Sequence, residues 1–302
     1  MISALKLGIL AAASLIAACA ARSAIPDQPI GWSLTASPSQ LARGEVQLSF
    51  EARTGRDDRS RTSHSRTFAL SEFEGLSSAD LQSGGTRPIR FHYVQPAGRL
   101  DCNGEARFRA GAGTCGLTAN QRFADALALR GIGRANDREL FNLTMSGVDL
   151  AVLDELARHG YPKPDIDGIV SLGIFKVTPG YVRELAASGY RLRTIGDLVQ
   201  FKVFKVEPTY IQELRKLGYA NLPVEDLVQF KIFRITPDYI RELDELGYAG
   251  IPTKKLVELR IHGVTTEYIR GFAQAGVGRP GIDQLTRMRM AGVRPPRSSE
   301  PR

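Results

Sequence analysis

The sequence of 302 residues has few of the side chains on which most enzyme sites depend. It contains four histidines, at positions 64, 92, 159 and 262, and they are scattered along the chain. It has no HExxH and no GxSxG motif, whereas a zinc site or a serine-hydrolase elbow needs such clustered groups. We therefore expect a protein that is not an enzyme and that uses no metal and no cofactor.

Long apolar runs are also scarce. The longest one, Leu7–Ala18, follows Lys6 and has twelve residues, which is too short for a membrane-spanning helix but typical of the core of a signal peptide. The sequence Ile16-Ala17-Ala18-Cys19 favours a lipoprotein signal with lipidation at Cys19. Ala18-Cys19-Ala20 also fits ordinary cleavage and release. We expect residues 1–23 to be a signal peptide, and the mature protein to be periplasmic or anchored to the outer membrane through its lipid.

The sequence has only three cysteines. With Cys19 assigned to the export segment, Cys102 and Cys115 remain as a pair in an oxidising compartment, where a disulfide is favoured. Their flanks indicate two strands of one hairpin around a glycine-rich connection. Two free thiols packed on one sheet face, or a nucleophilic Cys115, are the alternatives. Gly111, Gly113 and Gly116 match the letters of a dinucleotide-binding motif, but no helix pattern follows, so we expect a tight turn.

Residues 24–118 have the alternating pattern of β-strands. Val46, Leu48 and Phe50 fall on one face of one segment, and Ile89, Phe91 and Tyr93 on one face of another. The polar stretch over residues 54–66 has no periodicity, and we expect it to be an exposed loop. The sequence therefore predicts a small antiparallel β domain, either a single sheet or a sandwich.

The rest of the chain is periodic. Glycines stand at 131, 160, 189, 218, 247 and 276, in steps of 29 residues, and the surrounding segments match from copy to copy. Such self-similarity predicts a tandem array, here six two-helix repeats over residues 119–293 before a basic, disordered tail at 294–302. The fold class we expect is α+β and multidomain, with a β domain followed by a solenoid-like helical array.

Each repeat has start and stop signals for two short helices. Thr178, Thr236 and Thr265 stand where an N-cap is needed, and the recurring glycine ends the first helix. Glu207 occupies the cap position in another repeat and should cap less well. In the second helix, for example Asp226–Phe233, the residues Leu227, Val228, Phe230 and Ile232 form an almost continuous apolar stretch that we expect to be buried.

The period also aligns charged residues from repeat to repeat. Such an alignment predicts a contact stripe. The alternative is that these residues lie on solvated faces and form ion pairs between repeats, each worth about 0.2–1 kcal/mol. The stripe consists of Arg183, Lys202, Lys231, Arg241, Arg260, Arg270 and Arg289. The net charge of +8 lies mainly near the C-terminus, where six arginines over residues 279–302 oppose two acids. An anionic lipid or lipopolysaccharide is therefore a possible ligand beside an envelope protein.

Several segments resemble a known pattern. They are FALSEFEGL, AGRLDCNGEARFRAGAGTCGLTANQRF, DLVQFKIFRITPDYIRELDELGY and LVELRIHGVTTEYI. Together they resemble uncharacterised bacterial envelope proteins with 29-residue helical repeats. They are also similar to the extracytoplasmic C-terminal tails of antirepressor-type membrane zinc metallopeptidases. Cys102 and Cys115 stand where the resemblance leads us to expect aromatic residues. It implies an accessory or sensing module and carries over no catalytic residue.

These observations predict an exported protein that acts as a scaffold or sensor through protein–protein contacts of its repeats. The alternative is a periplasmic protein that binds nucleic acid or another anion. LRGIGRANDRELFNL and LRIHGVTTEYIRGF resemble helix-hairpin-helix elements, in which backbone amides at a helix N-terminus bind phosphate. Against this alternative, the equivalent turns FKVFKVEPTY and FKIFRITPDY lack the glycine.

Overall fold

The computed structural model describes residues 29–53 and 61–296, and it has an antiparallel β-sheet followed by a run of helices. The predicted signal peptide with Cys19, and the tail from residue 297 onward, lie outside the described residues. No helix among the described residues is both long and apolar enough to cross a membrane.

The sheet has seven strands in the order β3-β2-β1-β7-β6-β5-β4, and every pairing is antiparallel. It is therefore one sheet and not a sandwich. Two short helices, α1 (Pro38–Ala42) and α2 (Ser78–Gln82), and a 3-10 turn at Leu70–Glu72 connect its strands. The strands are β1 Ile30–Thr35, β2 Glu45–Arg53, β3 Arg61–Ala69, β4 Phe73–Glu74, β5 Arg87–Gln95, β6 Gly98–Arg107 and β7 Ala110–Ala119.

The sheet curls around an aromatic core. Phe68 on the edge strand β3 contacts Phe73 on the opposite edge strand β4, with ring centroids 5.3 Å apart. It also contacts Tyr93 on β5 at 5.7 Å, and Phe50 on β2 contacts the same tyrosine at 6.2 Å. The predicted apolar alternation in β2 and β5 is thus the pattern of side chains that point into this core.

The predicted loop at residues 54–66 is partly wrong. Residues 54–60 lie outside the described residues, but residues 61–69 form β3, which pairs with β2 along its length. A strand forms there without apolar alternation because its polar side chains have partners. Arg66 donates to Glu72 at 2.7 Å, and His64 Nε2 lies 2.9 Å from Asn142 Oδ1.

The glycines at 111, 113 and 116 are not in a tight turn, as we expected, but in the middle of β7. The chain turns instead at Phe108 and Arg109, both of which have positive φ. The indole of Trp32 lies over Gly104, Gly111 and Gly113, and a Cβ on any of them would come within 3.3 Å of it. Trp32 Nε1 donates to the Asn103 carbonyl at 3.2 Å. These glycines therefore make room for a tryptophan.

The predicted disulfide between Cys102 and Cys115 is confirmed. The two residues are direct partners across β6 and β7, with Cα atoms 4.0 Å apart. Both are buried. The disulfide therefore links the two strands from the core side of the sheet, and Cys115 has no free thiol with which to act as a nucleophile.

Twelve helices follow in the described part of the chain, and all of them have eight to ten residues. We call the odd-numbered ones first helices and the even-numbered ones second helices. The first helices are α3 Gln121–Leu129, α5 Ala151–Arg158, α7 Pro179–Ala187, α9 Pro208–Lys216, α11 Pro237–Glu245 and α13 Thr266–Gln274. The second helices are α4 Asp137–Ser146, α6 Ile166–Ile174, α8 Ile195–Val203, α10 Val224–Ile232, α12 Thr253–Ile261 and α14 Ile282–Met290.

The helix boundaries agree with the predicted signals. Thr178, Thr236 and Thr265 accept a hydrogen bond from a backbone N–H in the first turn, whereas Glu207 makes no such cap. All six glycines that follow the first helices have φ between +67° and +90°, the left-handed region that glycine adopts without a Cβ clash. The short helices therefore begin and end where their sequences dictate.

The sheet and the helices are in contact through α4. Its side chains Phe141 and Met145 are buried with the apolar residues of the sheet, and α4 contacts β5, β6 and β7. His64 on β3 packs against the ring of Phe141 at 5.4 Å. On its other side α4 packs against α6, the next second helix. This helix therefore joins the sheet to the helical run.

The contact between Trp32 and the glycines generates a test with a matched control. A Cβ added at Gly113 would lie 2.1 Å from the Asn103 carbonyl oxygen and 2.8 Å from Trp32 Nε1, whereas one added at Gly116 would meet nothing within 4 Å. We expect Gly113→Ala to lower the free energy of unfolding by about 1–3 kcal/mol through overpacking. We expect Gly116→Ala to change it by less than about 0.5 kcal/mol. Equal urea unfolding midpoints for the two variants would contradict this account of the glycines.

Candidate interaction surface

Four residues of the predicted stripe lie over tyrosine rings. Lys202 and Lys231 place Nζ 4.3 and 4.4 Å from the ring centroids of Tyr181 and Tyr210. Arg260 and Arg289 place Cζ 4.8 and 4.9 Å from those of Tyr239 and Tyr268. Each cation comes from a second helix and each tyrosine from the first helix just before it. These charges therefore take part in contacts within the chain, of a kind worth about 0.5–2 kcal/mol.

The other three predicted residues form ion pairs. Arg183 and Arg270 reach back to Glu155 and Glu242 in the preceding first helix, at 3.2 and 3.0 Å. Arg241 pairs within its own helix with Asp238 at 2.7 Å. The seven residues of the stripe thus all have partners within the chain, in two separate columns. Whether they also contact a partner stays a prediction.

Glu155 is a buried carboxylate at the wall of an open cleft of about 790 Å³. It accepts hydrogen bonds from Arg158 at 2.5 Å and Arg183 at 3.2 Å, and His159 Nε2 lies 3.0 Å away. Burial raises the pKa of this carboxyl, but these bonds and the charges of both arginines outweigh it, so that the pKa is lowered. The cleft wall therefore holds a carboxylate together with its own counter-charges.

The tyrosines of the helical run form two columns, and each hydroxyl donates to a backbone carbonyl further along the chain. In the first column, Tyr181, Tyr210, Tyr239 and Tyr268 donate to the residue 25 positions ahead, at 2.6 to 2.9 Å. In the second column, Tyr190, Tyr219 and Tyr248 donate to the residue 32 positions ahead, at 2.5 to 2.7 Å. Bonds of the second column thus join one helix pair to the next, and bonds of the first column join a first helix to the turn that follows the second helix of its own pair.

Burial shifts the titration of these phenols. It raises the pKa of Tyr190, Tyr219 and Tyr239 to about 12, and it raises the pKa of Tyr181 and Tyr210 further still. A phenolate has no proton to donate to the carbonyl. The neutral form of these tyrosines is therefore part of the folded state.

The last residue of the second helices α6, α8, α10, α12 and α14 is apolar, and the predicted burial of Ile232 is wrong. Leu227, Val228 and Phe230 of the same helix are buried, but Ile232 is 50% exposed. Its equivalents at steps of 29 residues are between 46% and 65% exposed. We call this set the apolar column: Ile174, Val203, Ile232, Ile261 and Met290.

Positively charged residues stand two positions after three members of the apolar column. Lys176, Lys205 and Arg234 have φ between +53° and +55° and are exposed. The equivalent residues in the other copies are glycines, Gly147, Gly263 and Gly292, also with positive φ. We call Lys176, Lys205 and Arg234 the turn cations. Three of the six turns thus have a lysine or arginine at a position where glycine would adopt the positive φ at a lower cost in free energy.

The copy nearest the sheet is covered by the sheet. Met145 occupies the equivalent position in α4 and is only 5% exposed, because it belongs to the sheet's apolar core. Gly147, in the following turn, faces Gln95 of β5, whose Oε1 would lie 2.8 Å from an added Cβ. The same end of the helix is thus buried in one copy and open in the five copies that follow.

No group of three or more histidine, cysteine, aspartate or glutamate side chains that could hold a metal occurs among the described residues. Comparisons with models of protein families, with curated proteins and with solved structures found no match to the chain. A candidate site therefore has to be argued from the contacts and exposures of this chain's own residues.

The exposure of the apolar column was not predicted, although the sequence contains a signal for it. Apolar residues at 174, 203, 232, 261 and 290 share one position of the period, but so do the residues of the core. A helix of nine residues with apolar side chains on most positions does not indicate which of them face solvent. The missing glycine in the turns at 205 and 234 is evident from the sequence, but its link to exposed apolar neighbours is not.

The raised tyrosine pKa values predict how the fold responds to alkali. A group whose pKa is higher in the folded than in the unfolded state stabilises the fold below its unfolded value, near 10 for tyrosine, and loses this contribution as the pH rises further. We expect tyrosinate absorbance to appear together with loss of helical circular dichroism as the pH passes from about 10 to about 12. The urea-unfolded protein, as control, should titrate near 10. Full tyrosine titration near 10 with unchanged helicity would contradict the assignment.

Proposed function

We propose that this protein is an exported component of a bacterial envelope, that it is not an enzyme, and that it binds another protein through its helical run. The observation that carries the proposal is the apolar column, whose members recur at steps of 29 residues and are about half exposed or more. Exposed apolar side chains in a continuous arrangement are typical of protein contact sites.

We further propose that the helical run is a solenoid-like array of six two-helix repeats. The starts of the second helices at 137, 166, 195, 224, 253 and 282 follow the 29-residue period. Each helix from α4 to α12 contacts the next helix of its own kind. The tyrosine hydrogen bonds of the second column also reach from one pair to the next. Contacts restricted to neighbours are the defining property of such arrays.

The proposal of export depends on the signal-like residues 1–23 and on Cys19 as the lipid attachment site. The disulfide between Cys102 and Cys115 supports it, because structural disulfides are rare in reducing compartments. The β domain then lies between the lipid anchor and the array. The resemblance to envelope proteins and to the tails of antirepressor-type peptidases fits a scaffold or sensory role with an envelope protein as partner.

A second candidate is binding of an anion such as nucleic acid or lipopolysaccharide. The turn cations favour it, because Lys176, Lys205 and Arg234 stand next to the N-termini of first helices, where phosphate is attracted. The threonine caps weaken it, because Thr178 and Thr236 already accept from backbone N–H groups that a phosphate would use. Phosphate binding also falls steeply with salt, so the salt dependence of any complex separates the two candidates.

The proposed function can be tested by photo-cross-linking in intact cells that naturally make the protein. A photoreactive residue is placed in the full-length chain at Val203 or Glu213 in the helical run, or at Val94 on the sheet as control, all exposed. We expect one envelope protein to be captured from the helical run and not from Val94. The purified partner should then bind the full-length chain with a Kd of micromolar or below, the range of specific protein complexes.

Two results would contradict the proposal. One is capture of only abundant background proteins from every position of the helical run. The other is a captured protein that, once purified, does not bind the full-length chain. In the same cells, fractionation and mass spectrometry of the mature N-terminus test export. A protein that keeps its N-terminal residues in the cytoplasm would contradict the assignment of residues 1–23 and of Cys19.

A further inference from the structure

We infer that the ends of the second helices form a docking surface for a partner segment that combines apolar with acidic side chains. The surface consists of the apolar column and the turn cations beside it. This inference rests on the proposed function and adds to it the face of the protein that binds and the chemistry of what it binds.

The surface repeats one arrangement. In three successive copies, an exposed apolar residue is followed by a phenylalanine and then by a cation with positive φ. The copies are Ile174-Phe175-Lys176, Val203-Phe204-Lys205 and Ile232-Phe233-Arg234. Phe175 is 40% exposed, and Phe204 and Phe233 are half-buried. Each copy thus offers an apolar contact and a positive charge side by side at the end of one helix.

The contact between α4 and the sheet indicates what kind of molecule covers such a surface, because the apolar column continues from it. The first copy of the column, Met145, is already buried, and it is buried by protein, through contacts of α4 with β5, β6 and β7. The open copies lie on the same ends of the helices that stack after α4. A partner protein that packs on them extends along the helical run the kind of contact that the sheet makes at its beginning.

The charges specify the partner further. Lys176 lies close enough to Glu72 of the sheet domain to contribute to lowering the pKa of that carboxyl, whose main partner is Arg66. Both side chains line a cleft of about 310 Å³ between the sheet and the helices. Where the sheet borders the open copies, an acid therefore lies close to the first turn cation. The side chains of Lys205 and Arg234 have no ion pair or hydrogen bond within the described residues, and a partner's acids would supply an ion pair.

The backbone adds an independent argument. A residue other than glycine loses stability in the left-handed region, and the equivalent position is glycine in three of the six turns. Lysine or arginine persists at the other three turns, next to exposed apolar residues. Strained residues of this kind are found where function needs the side chain. Replacing a turn cation with glycine should therefore help the fold and harm the docking.

The spacing suggests a probe. Packed helices lie about 8–10 Å apart, so neighbouring members of the column are separated by roughly that distance. Seven residues of an α-helix span about 10.5 Å. A helical peptide of about 28 residues, with leucine at every seventh position and glutamates beside each leucine, matches both the apolar column and the turn cations.

The test measures binding of this fluorescent acidic peptide to the full-length protein by anisotropy. Two peptides with all glutamates changed to lysine, or all leucines to serine, and vesicles of phosphatidylglycerol serve as comparisons. We expect the acidic peptide to bind at least about tenfold more tightly than either altered peptide, which corresponds to about 1.4 kcal/mol. We expect the vesicles to compete weakly or not at all.

Variants of the protein locate the contact. The double variant Lys205→Gly/Arg234→Gly should lose at least about tenfold in affinity for the acidic peptide while its melting temperature stays equal to or above that of wild type. Val203→Ser/Ile232→Ser should lose a similar factor. The controls are Lys216→Ala, which removes an exposed cation at the end of a first helix, and Leu129→Ser, which removes an apolar side chain that is 88% exposed outside the column. Both should bind like wild type.

Three outcomes would overturn the inference. They are equal binding of the acidic and lysine peptides, wild-type affinity of both double variants, and tight binding to vesicles that the column variants abolish while no peptide binds. The last outcome assigns the surface to lipid. If cross-linking captures a partner from Glu213 but none of the peptide predictions holds, the proposed protein-binding function stands and only the docking surface is wrong.

Discussion

The hydrogen bond from a tyrosine hydroxyl to a backbone carbonyl 25 or 32 residues ahead is the contact on which the helical run of this protein depends. Helices of eight to ten residues are marginal by themselves, and each pair has to be fixed against its neighbour. Tyr210, for example, donates to the carbonyl of Ile235 at 2.6 Å, and Tyr219 donates to that of Ile251 at 2.7 Å. The first bond fixes the turn at the end of the same pair and the second fixes the next pair, which apolar packing alone, being non-directional, would not do.

The same bonds explain where the exposed residues lie. The acceptors of the first tyrosine column are the carbonyls of Val206, Ile235, Val264 and Val293, which come just after the residues with positive φ. The tyrosine therefore fixes the turn that ends each second helix. It also fixes the apolar column and the turn cations relative to the first helix of the same pair. Because the tyrosine hydrogen bond recurs every 29 residues, the apolar column and the turn cations recur at equivalent positions on the surface.

Much of this architecture could be predicted from the sequence, because its signals are local. Thr178 and Gly189 mark the ends of a helix through their own backbone chemistry, and the strand pattern around Cys102 and Cys115 predicts that these two residues pair. The tyrosine positions were visible in the sequence, but their acceptors were not, because a carbonyl 25 or 32 residues away is identified only by packing.

Other features could not be predicted, again because of packing. The glycines at 111 and 113 suggested a turn, and they are in a strand because Trp32, far away in sequence, lies over them. Residues 61–69 lack the apolar alternation of a strand, and they form one because β2 is beside them. At the candidate surface, the stripe of charges was predicted from the period alone. The period did not indicate that Lys202 and Lys231 lie on tyrosine rings. Nor did it indicate that the apolar column and the turn cations are exposed to solvent.

The most direct test of the central claim is the free energy of unfolding of Tyr210→Phe compared with Tyr268→Phe. Both variants lose one hydroxyl that donates to a carbonyl 25 residues ahead. The acceptor residue Ile235 is buried, whereas Val293 is 40% exposed at the end of the helical run. Water can replace the lost bond only at Val293. We therefore predict a loss of about 1–3 kcal/mol for Tyr210→Phe and clearly less for Tyr268→Phe. Equal stability of Tyr210→Phe and wild type would contradict the claim that these bonds hold the helix pairs together.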